Sequence, residues 1–365
     1  MRVGTATTDP GETATGWLDV TTLPTGGRER LPVLLAEGTG DGPTLWVTAG
    51  VHGDELTGVA AAQDLLDDRL PDRLAGDLVV VPTVNPAGLR RTSRESYYHG
   101  DDPNRYFPDP DADQYRPPRV QQRIDEALFD AVTGDEDAPV TDAAADALLD
   151  LHTAHVGSLP FVIRDRTLYG DRRDEAAAEA LRDDLAALAD ALGLPVVTEY
   201  TDPEYTGEGL HRSLTGAVTN EAGVPALTVE LGTHSVVDET ERARGVAAVY
   251  RALVNLGALD TLPGWVPDTE PITSGVDYRL RRAVHPHTDT AGLVRHRVAV
   301  GDVLTEGDPV ADVVSPHGEV RATVATDHDG VVLGRGEGMA VYENDPLASL
   351  AVRDEAPLVV PREES

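Results

Sequence analysis

Apolar and polar positions follow two alternating patterns along the first 260 residues of the chain. Short, nearly continuous apolar runs are typical of buried strands, and longer stretches with apolar residues every three or four positions are typical of helices. The predicted strands are 44–50, 77–85, 147–153 and 225–232, and the predicted helices are 55–70, 174–193 and 239–259. This alternation predicts an α/β domain whose mostly parallel or mixed sheet is covered by helices on both faces.

The pattern changes near residue 266, where short β-like runs are separated by Gly-Asp pairs. We therefore predict a catalytic domain over residues 1–265 and a smaller β-rich domain over residues 266–365. The runs "VGDVLTEGDPVADV" and "GVVLG" resemble the barrel-sandwich of biotinyl and lipoyl carrier domains. The resemblance concerns the fold only, because those carriers attach their cofactor to a lysine and this chain has none.

The stretch 86–119 shows little periodicity and is rich in Arg, Tyr, Pro and Asp. A long irregular loop inside a compact domain is usually either functional or disordered. The aromatic and basic content of this stretch argues against disorder, so we predict a functional loop.

The composition of the 365 residues excludes several classes of chemistry. The chain contains no cysteine, which rules out disulfides and thiolate catalysis and restricts metal ligands to His, Asp and Glu. It has no run of about 20 apolar residues that could span a membrane, and its first residues lack the apolar core of a signal peptide. These features predict a cytoplasmic protein without a membrane partner.

The net charge is −34, and all 30 basic residues are arginines. The acidic residues are spread over the whole length, which argues against an acidic tail for a basic partner. We interpret the acidic, lysine-free composition as an adaptation to high salt, where hydrated carboxylates keep a protein soluble. The sequence has no cluster of basic residues of the kind that binds nucleic acid, which argues against a nucleic-acid partner.

Candidate functional residues stand where predicted strands end. His52 and Glu55 follow the first strand, His152 ends the third, and Glu230 ends the fourth. Ligands bind at the carboxyl ends of strands in open α/β sheets, and two His and one Glu form a known catalytic zinc set. Asp150 precedes His152 on the same strand face and could orient its imidazole. His52, Glu55 and His152 each have an ordinary structural explanation when taken alone, whereas a carboxylate that ends an apolar strand, as Glu230 does, is costly to bury without a partner. The common position of the four residues indicates a site.

Five motifs occur in an order that resembles one family. They are "GVHGDELTG", "NPAG", "NR" followed by "YFPD", "DLHTA" and "ALTVELG". Together they are similar to the succinylglutamate desuccinylase and aspartoacylase family, a branch of the zinc carboxypeptidase superfamily. The resemblance covers roughly residues 43–260, and the β-rich stretch 272–352 is similar to the C-terminal domain of that family.

The resemblance implies a role for each matching residue. It makes His52, Glu55 and His152 the ligands of one Zn²⁺ per chain and Glu230 the catalytic glutamate. It further implies that Asn104 and Arg105 hold the substrate carboxylate and that Arg94 polarises the scissile carbonyl, with Arg90 and Arg91 as alternatives. The chain departs from the family in reading Asp102-Pro103 where Asp-Leu is usual. His155, His211 and His234 match no ligand and are predicted to support the site or lie at the surface.

These residues predict a zinc-dependent deacylase that cleaves a small N-acyl amino acid, with the C-terminal domain narrowing the cleft. A zinc carboxypeptidase acting on peptides is one alternative, and a binding protein with a relic metal site is another. The intact Glu230 argues against a relic, because loss of the catalytic base is the simplest way to lose activity. A homo-oligomer is compatible with the sequence, which does not identify the acyl group or the amino acid.

Overall fold

The computed structural model describes residues 1–98, 100–108, 119–134, 140–201 and 204–362. The irregular stretch predicted at 86–119 therefore lies partly outside the described residues. Its described part contains a short helix and a 3₁₀ turn, and Arg94, Asn104 and Arg105 of this part line the candidate site.

Strands make up most of the regular structure. In the first half of the chain they are β1 (Arg2–Val3), β2 (Ala6–Thr7), β3 (Thr13–Thr22), β4 (Arg28–Glu37), β5 (Gly40–Ala49), β6 (Ala75–Val81), β7 (Ala147–Ala154), β8 (Phe161–Arg164) and β9 (Thr167–Tyr169). In the second half they are β10 (Val196–Thr198), β11 (Ala226–Thr233), β12 (Leu280–Val284), β13 (Gly292–His296), β14 (Val303–Leu304), β15 (Pro309–Val314), β16 (Val320–Ala325), β17 (Gly330–Arg335), β18 (Ala340–Val341), β19 (Ala348–Arg353) and β20 (Val359–Pro361).

The helices are concentrated in the first 260 residues. They are α1 (Leu56–Gln63), α2 (Pro86–Leu89), α3 (Val120–Thr133), α4 (Glu175–Ala191), α5 (Glu204–Gly207), α6 (Leu214–Ala217) and α7 (Glu239–Asn255). Short 3₁₀ turns lie at Pro71–Arg73, Pro103–Arg105 and Leu210–Arg212, and a π-helical turn lies at Val218–Ala222. Within the described ranges, no helix is both long and apolar enough to cross a membrane.

The main sheet has twelve strands among the described residues, in the order β14-β17-β19-β12-β10-β8-β11-β7-β5-β6-β4-β3. The four central strands β6, β5, β7 and β11 run parallel, while β8 pairs antiparallel with β11 and parallel with β10. The predicted mixed sheet is thus confirmed. It places the carboxyl ends of β5, β7 and β11 side by side, as the candidate site requires.

Helices cover both faces of this sheet, as predicted. On one face α1, α4 and α7 contribute Ala61, Leu185 and Val249 to a large apolar cluster. On the other face α3 and α6 pack Ile124 and Leu214 against a second cluster. Strands buried on both faces need apolar residues at successive positions, which explains the continuous apolar runs in the sequence.

The predicted helix 55–70 ends earlier than expected, because α1 stops at Gln63. Leu65 and Leu70 nevertheless lie in the same apolar cluster as α1, so the apolar pattern marked burial and not helix. The helix is capped at Asp64, whose φ of −90° and ψ of 2° leave the helical range, and a 3₁₀ turn follows at Pro71–Arg73.

The C-terminal region is β-rich, as predicted. Strands β12, β19, β17 and β14 extend the main sheet, and β16, β15, β13 and β18 form a separate four-stranded sheet. Val310 of β15 packs with Val332 of β17 and Leu350 of β19, so the two groups of strands share an apolar cluster. The domain boundary at residue 265 remains a prediction.

Two glycines shape the turn that follows β5. Gly50 adopts a φ of +65°, a conformation that favours glycine. A Cβ atom on Gly53 would lie 2.1 Å from the carbonyl carbon of Gly88, so only glycine allows the two loops to approach. The turn therefore holds His52 next to the loop that leads to Arg94, whose carbonyl oxygen accepts a hydrogen bond from Gly53.

The net charge of −34 predicts that folding depends on salt. At low ionic strength the carboxylates repel one another, whereas in molar salt the Debye length shrinks to about 3 Å and the repulsion is screened. We expect the melting temperature to rise by about 5 °C between dilute buffer and molar potassium chloride, which corresponds to roughly 4 kcal/mol for a chain of this size. Sucrose at equal osmolality is the control, because it does not screen charge. Equal melting temperatures in both salt conditions would contradict the high-salt interpretation.

Candidate active site

The residues predicted from the sequence line one pocket of about 360 Å³ at the carboxyl ends of the central strands. The turn after β5 and the ends of β7 and β11 form its inner wall, and the loop after α2 forms its edge. The predicted residues in its wall are His52, Glu55, Arg94, Asn104, Arg105, His152 and Glu230.

Two histidines converge on the carboxylate of Glu55. His52 Nδ1 lies 2.7 Å from Glu55 Oε1, and His152 Nδ1 lies 2.8 Å from Glu55 Oε2. All three side chains are buried. Glu55 occupies the N-cap position of α1 but makes no side-chain capping bond, because its carboxylate is directed between the imidazoles. The backbone N–H of Thr153 donates to Glu55 Oε2 at 2.9 Å and fixes the carboxylate.

Further carboxylates hold the remaining nitrogen of each imidazole. Asp150 Oδ2 lies 2.6 Å from His152 Nε2, while its Oδ1 accepts a bond from the Thr48 hydroxyl at 2.7 Å. Asp102 Oδ1 lies 3.1 Å from His52 Nε2. Both Nδ1 atoms are thereby directed inward, as in sites where an outer carboxylate orients a metal-binding histidine.

The inner cluster fits a zinc ion by its chemistry. One ligand atom from each of His52, Glu55 and His152 lies within 4.8 Å of the others, and two imidazole nitrogens with one carboxylate oxygen is an established catalytic zinc set. Although burial disfavours its charge, the nearby His52 and His152 hold the pKa of Glu55 well below its usual range. The carboxylate therefore stays ionised, which a metal ligand must be.

Glu230 stands beside this cluster. It pairs in register with His152 across β11 and β7, so both side chains lie at the same level of the sheet. Its Oε2 atom is buried and has no hydrogen-bond partner among the described residues. Burial and the charge of Glu55 raise the pKa of Glu230. A buried carboxylate oxygen left without a donor is available to accept a proton from a bound molecule.

The three candidate arginines occupy different places. Arg94 Nη1 lies 3.3 Å from Glu55 Oε1 and its Nη2 lies 3.1 Å from Asp102 Oδ2, at the mouth of the cluster. Arg90 instead donates to the Tyr97 hydroxyl at 3.0 Å. Arg91 lies over the Tyr97 ring, 4.6 Å from its centroid. Of the three, Arg94 is the one in the pocket wall.

Asn104 and Arg105 lie on the 3₁₀ turn that begins at Pro103. Asn104 Oδ1 accepts a bond from the backbone N–H of Leu214 at 2.8 Å, which ties the turn to α6. Arg105 donates through Nε to the carbonyl of Glu208 at 3.0 Å and through Nη1 to the carbonyl of Asn104 at 2.7 Å. The Asp-Pro sequence thus still directs both side chains into the pocket wall.

Sequence reasoning missed a second group of charged residues in the pocket wall. These are Asp165 after β8, Glu199 after β10 and Arg282 on β12, and Arg282 donates to Glu199. Asp165 and Glu199 each follow a strand, and this position is the feature of the sequence that could have identified them. The residues around them match none of the five family motifs.

His155 and His234 were predicted to support the site or to lie at the surface. Both line the pocket together with Glu337, and His234 Nε2 lies 2.6 Å from Glu337 Oε1.

A second group of ligand-competent side chains lies in the C-terminal region. His285, Asp327 and His328 each place one ligand atom within 4.8 Å of the others, and they are more exposed than the first cluster. Any measurement of bound metal must therefore separate the two groups.

A family model covers residues 41–256 of the chain. It is described as the succinylglutamate desuccinylase/aspartoacylase catalytic domain, and it spans both His52 and Glu230. The N-alpha-acetyl-L-2,4-diaminobutyric acid deacetylase of Halomonas elongata is 27% identical over 337 residues, which are 89% of this chain and 86% of that protein.

Solved structures show the same fold. A succinylglutamate desuccinylase/aspartoacylase from Rhodobacter sphaeroides superposes with a TM-score of 0.71 at 22% identity, covering 97% of this chain and all of the other. The product-bound ectoine utilization protein EutE (DoeB) from Ruegeria pomeroyi has a TM-score of 0.69 at 20% identity, covering 95% of this chain and 98% of the other.

Proposed function

The chain belongs to the succinylglutamate desuccinylase/aspartoacylase family, and from that premise we propose that it is a zinc-dependent deacylase of a small N-acyl amino acid. The observation that supports this most strongly is the buried His52, Glu55 and His152 cluster with Glu230 beside it. A hydrolase needs a place for a metal-activated water and a base to take its proton, and these four side chains provide both.

His52, Glu55 and His152 would hold the ion, one per chain. When bound, zinc lowers the pKa of water towards about 7 and polarises a carbonyl oxygen. Asp150 and Asp102 keep the two imidazoles in place. All three members of the cluster are buried and are contacted by further polar groups, which favours one fixed arrangement.

Glu230 acts as the general base and then as the general acid. Its unpartnered Oε2 accepts a proton from the attacking water and afterwards returns that proton to the leaving amine. Arg94 donates to the oxygen of the scissile carbonyl as negative charge develops there. To do so its Nη1 must leave Glu55, which the metal would neutralise in its place.

The substrate carboxylate binds at the turn that holds Asn104 and Arg105. Arg105 Nη2 lies 3.7 Å from Asp102 Oδ2, too far for a hydrogen bond, and can donate to a bound carboxylate. The Asn104 amide nitrogen offers a further hydrogen bond. We propose acetyl as the acyl group, because the Halomonas elongata relative is named a deacetylase. The substrate in that name also has a second amino group.

A substrate comparison tests the deacylase against the carboxypeptidase alternative. Small N-acetyl amino acids should be hydrolysed at least about 100-fold faster, by kcat/KM, than a tetrapeptide with the same C-terminal residue, because Arg282, Glu337 and Ser349 of the C-terminal region form part of the pocket wall and narrow the cleft. Blocking the free carboxylate as an amide should cost about 100-fold or more, because it leaves the guanidinium of Arg105 without its partner.

Chromatographic assay of both products gives the two rates. Comparable rates on the tetrapeptide and on the N-acetyl amino acid would favour a carboxypeptidase. Metal binding without hydrolysis of any amide would favour a relic site.

A further inference from the structure

The part of the pocket wall at the ends of β8 and β10 carries two carboxylates, those of Asp165 and Glu199, and one guanidinium, that of Arg282. Glu199 is ion-paired with Arg282. Asp165 is only 4% exposed and makes no ion pair with any residue that the structure describes. Burying an ionised carboxylate without a counter-ion is costly, and native proteins rarely do so without a reason.

Neutral donors hold the Asp165 carboxylate in place. The Tyr205 hydroxyl donates to Oδ1 at 2.8 Å, and the Thr215 hydroxyl donates to Oδ2 at 3.0 Å. Thr215 lies 3.0 Å from the hydroxyl of Thr228, which stands two residues before Glu230 on β11. The carboxylate is thus oriented and connected to the strand of the predicted base, while its charge is not neutralised.

Strand β8 adds apolar side chains to the pocket wall. Phe161, Ile163 and Asp165 occupy alternate positions of β8 and the residue after it, and all three line the pocket. Phe161 pairs with Glu230, so an apolar strip runs along β8 from the level of the predicted base towards Asp165. A ligand with a short aliphatic chain that ends in a positive charge would match an apolar strip followed by a carboxylate.

We propose that Asp165 is the specificity residue of a subsite for an ammonium group, so that the preferred substrate is an N-acylated diamino acid. This inference rests on the proposed deacylase function and adds the chemistry of the substrate side chain to it. The ammonium group binds the carboxylate of Asp165, and the methylene groups lie along Phe161 and Ile163. The ion pair of Glu199 with Arg282 forms the neighbouring wall of this subsite.

The test compares two N-acetyl amino acids of nearly equal size. N-acetyl-2,4-diaminobutyrate has a cationic side chain, and N-acetyl-norvaline has a methyl group in the place of the ammonium. The wild-type protein should favour the first by on the order of 10- to 100-fold in kcat/KM, the effect of a hydrogen bond to a charged group. In Asp165→Asn this ratio should fall to about one. N-acetyl-ornithine and N-acetyl-lysine then measure the preferred chain length.

Two variants serve as controls. Asp125→Asn makes the same change at another fully buried aspartate, on α3 and outside the pocket wall, and should keep the wild-type ratio. Glu337→Gln tests the carboxylate that lies with His234 at the pocket wall, and it should also keep the ratio.

The pH dependence gives a second measurement. Burial and then the charge of Glu199 raise the pKa of Asp165 to about 7, against the opposing effects of Tyr205, Thr215 and Arg282. KM for the diamino substrate should therefore fall as pH rises through about 7, since Asp165 gains its charge there. KM for N-acetyl-norvaline should not show this step, and Asp165→Asn should abolish it.

Each contrary outcome has a distinct meaning. Equal loss on both substrates in Asp165→Asn would show a structural role, and loss of the ratio in Glu337→Gln alone would assign the ammonium group to the other carboxylate. Hydrolysis without charge preference in the wild type would overturn the subsite and leave the deacylase intact. If no N-acetyl amino acid is hydrolysed, the proposed function fails, and calorimetric binding of 2,4-diaminobutyric acid against norvaline decides the subsite by itself.

Discussion

Glu230→Gln is expected to lower kcat/KM by roughly 10²- to 10⁴-fold and to leave the bound metal in place. The amide keeps the shape of the side chain but cannot accept a proton from the attacking water. Because Glu230 Oε2 has no hydrogen-bond partner among the described residues, the change should break no bond that holds the fold. Steady-state kinetics and metal analysis of the same preparation provide the measurement.

Glu337→Gln is the matched control, since it makes the same change at another carboxylate of the pocket wall. It should keep activity within a few-fold of the wild type. Wild-type turnover in Glu230→Gln would make Glu230 structural and exclude it as the base. Loss of metal from Glu230→Gln would instead make it a ligand.

His152→Ala is expected to lose both the bound metal and the activity. It removes one of three proposed ligands and leaves Asp150 and Glu55 buried without their shared partner. Removing an outer residue that supports a ligand costs roughly 10- to 100-fold in metal affinity, so removal of the ligand itself should cost more. Metal content should fall by about one ion per chain, measured by elemental analysis after dialysis.

Two variants separate the possible sources of metal. Asp150→Asn should retain the ion with affinity weakened by roughly 10- to 100-fold, because the imidazole of His152 loses only its orienting partner. His285→Ala reports on the exposed group in the C-terminal region and should leave activity unaffected. Unchanged metal content in His152→Ala would refute the assignment of the ligands.

Much of the fold and of the candidate site could be predicted from the chain itself. The continuous apolar runs identified β5, β7 and β11, because strands covered on both faces need apolar residues at successive positions. The polar residues at the ends of these runs, His52, His152 and Glu230, are those that the parallel register brings to one edge of the sheet. Local pattern was a reliable guide here, since the carboxyl ends of parallel strands share an edge.

The predicted helix 55–70 shows the limit of this reasoning. Apolar residues at helical spacing continued past Gln63, but Leu65 and Leu70 reach the core from a turn. The hydrophobic pattern indicates which residues are buried. Tertiary packing decides whether a helix or an irregular segment carries those residues.

By itself, the sequence determined the family, the mixed α/β fold, the β-rich C-terminal region and the set of metal-competent residues. The resemblance favoured Arg94 and left Arg90 and Arg91 open, and only the tertiary structure showed that Arg94 is the arginine that stands at the cluster. The tertiary structure also brought Arg282 of β12 beside Glu199 and left Asp165 without a counter-ion in the pocket wall. The physical reason is that ion pairing and desolvation depend on distances in space, and β8, β10 and β12 are adjacent in the sheet although long stretches of chain separate them.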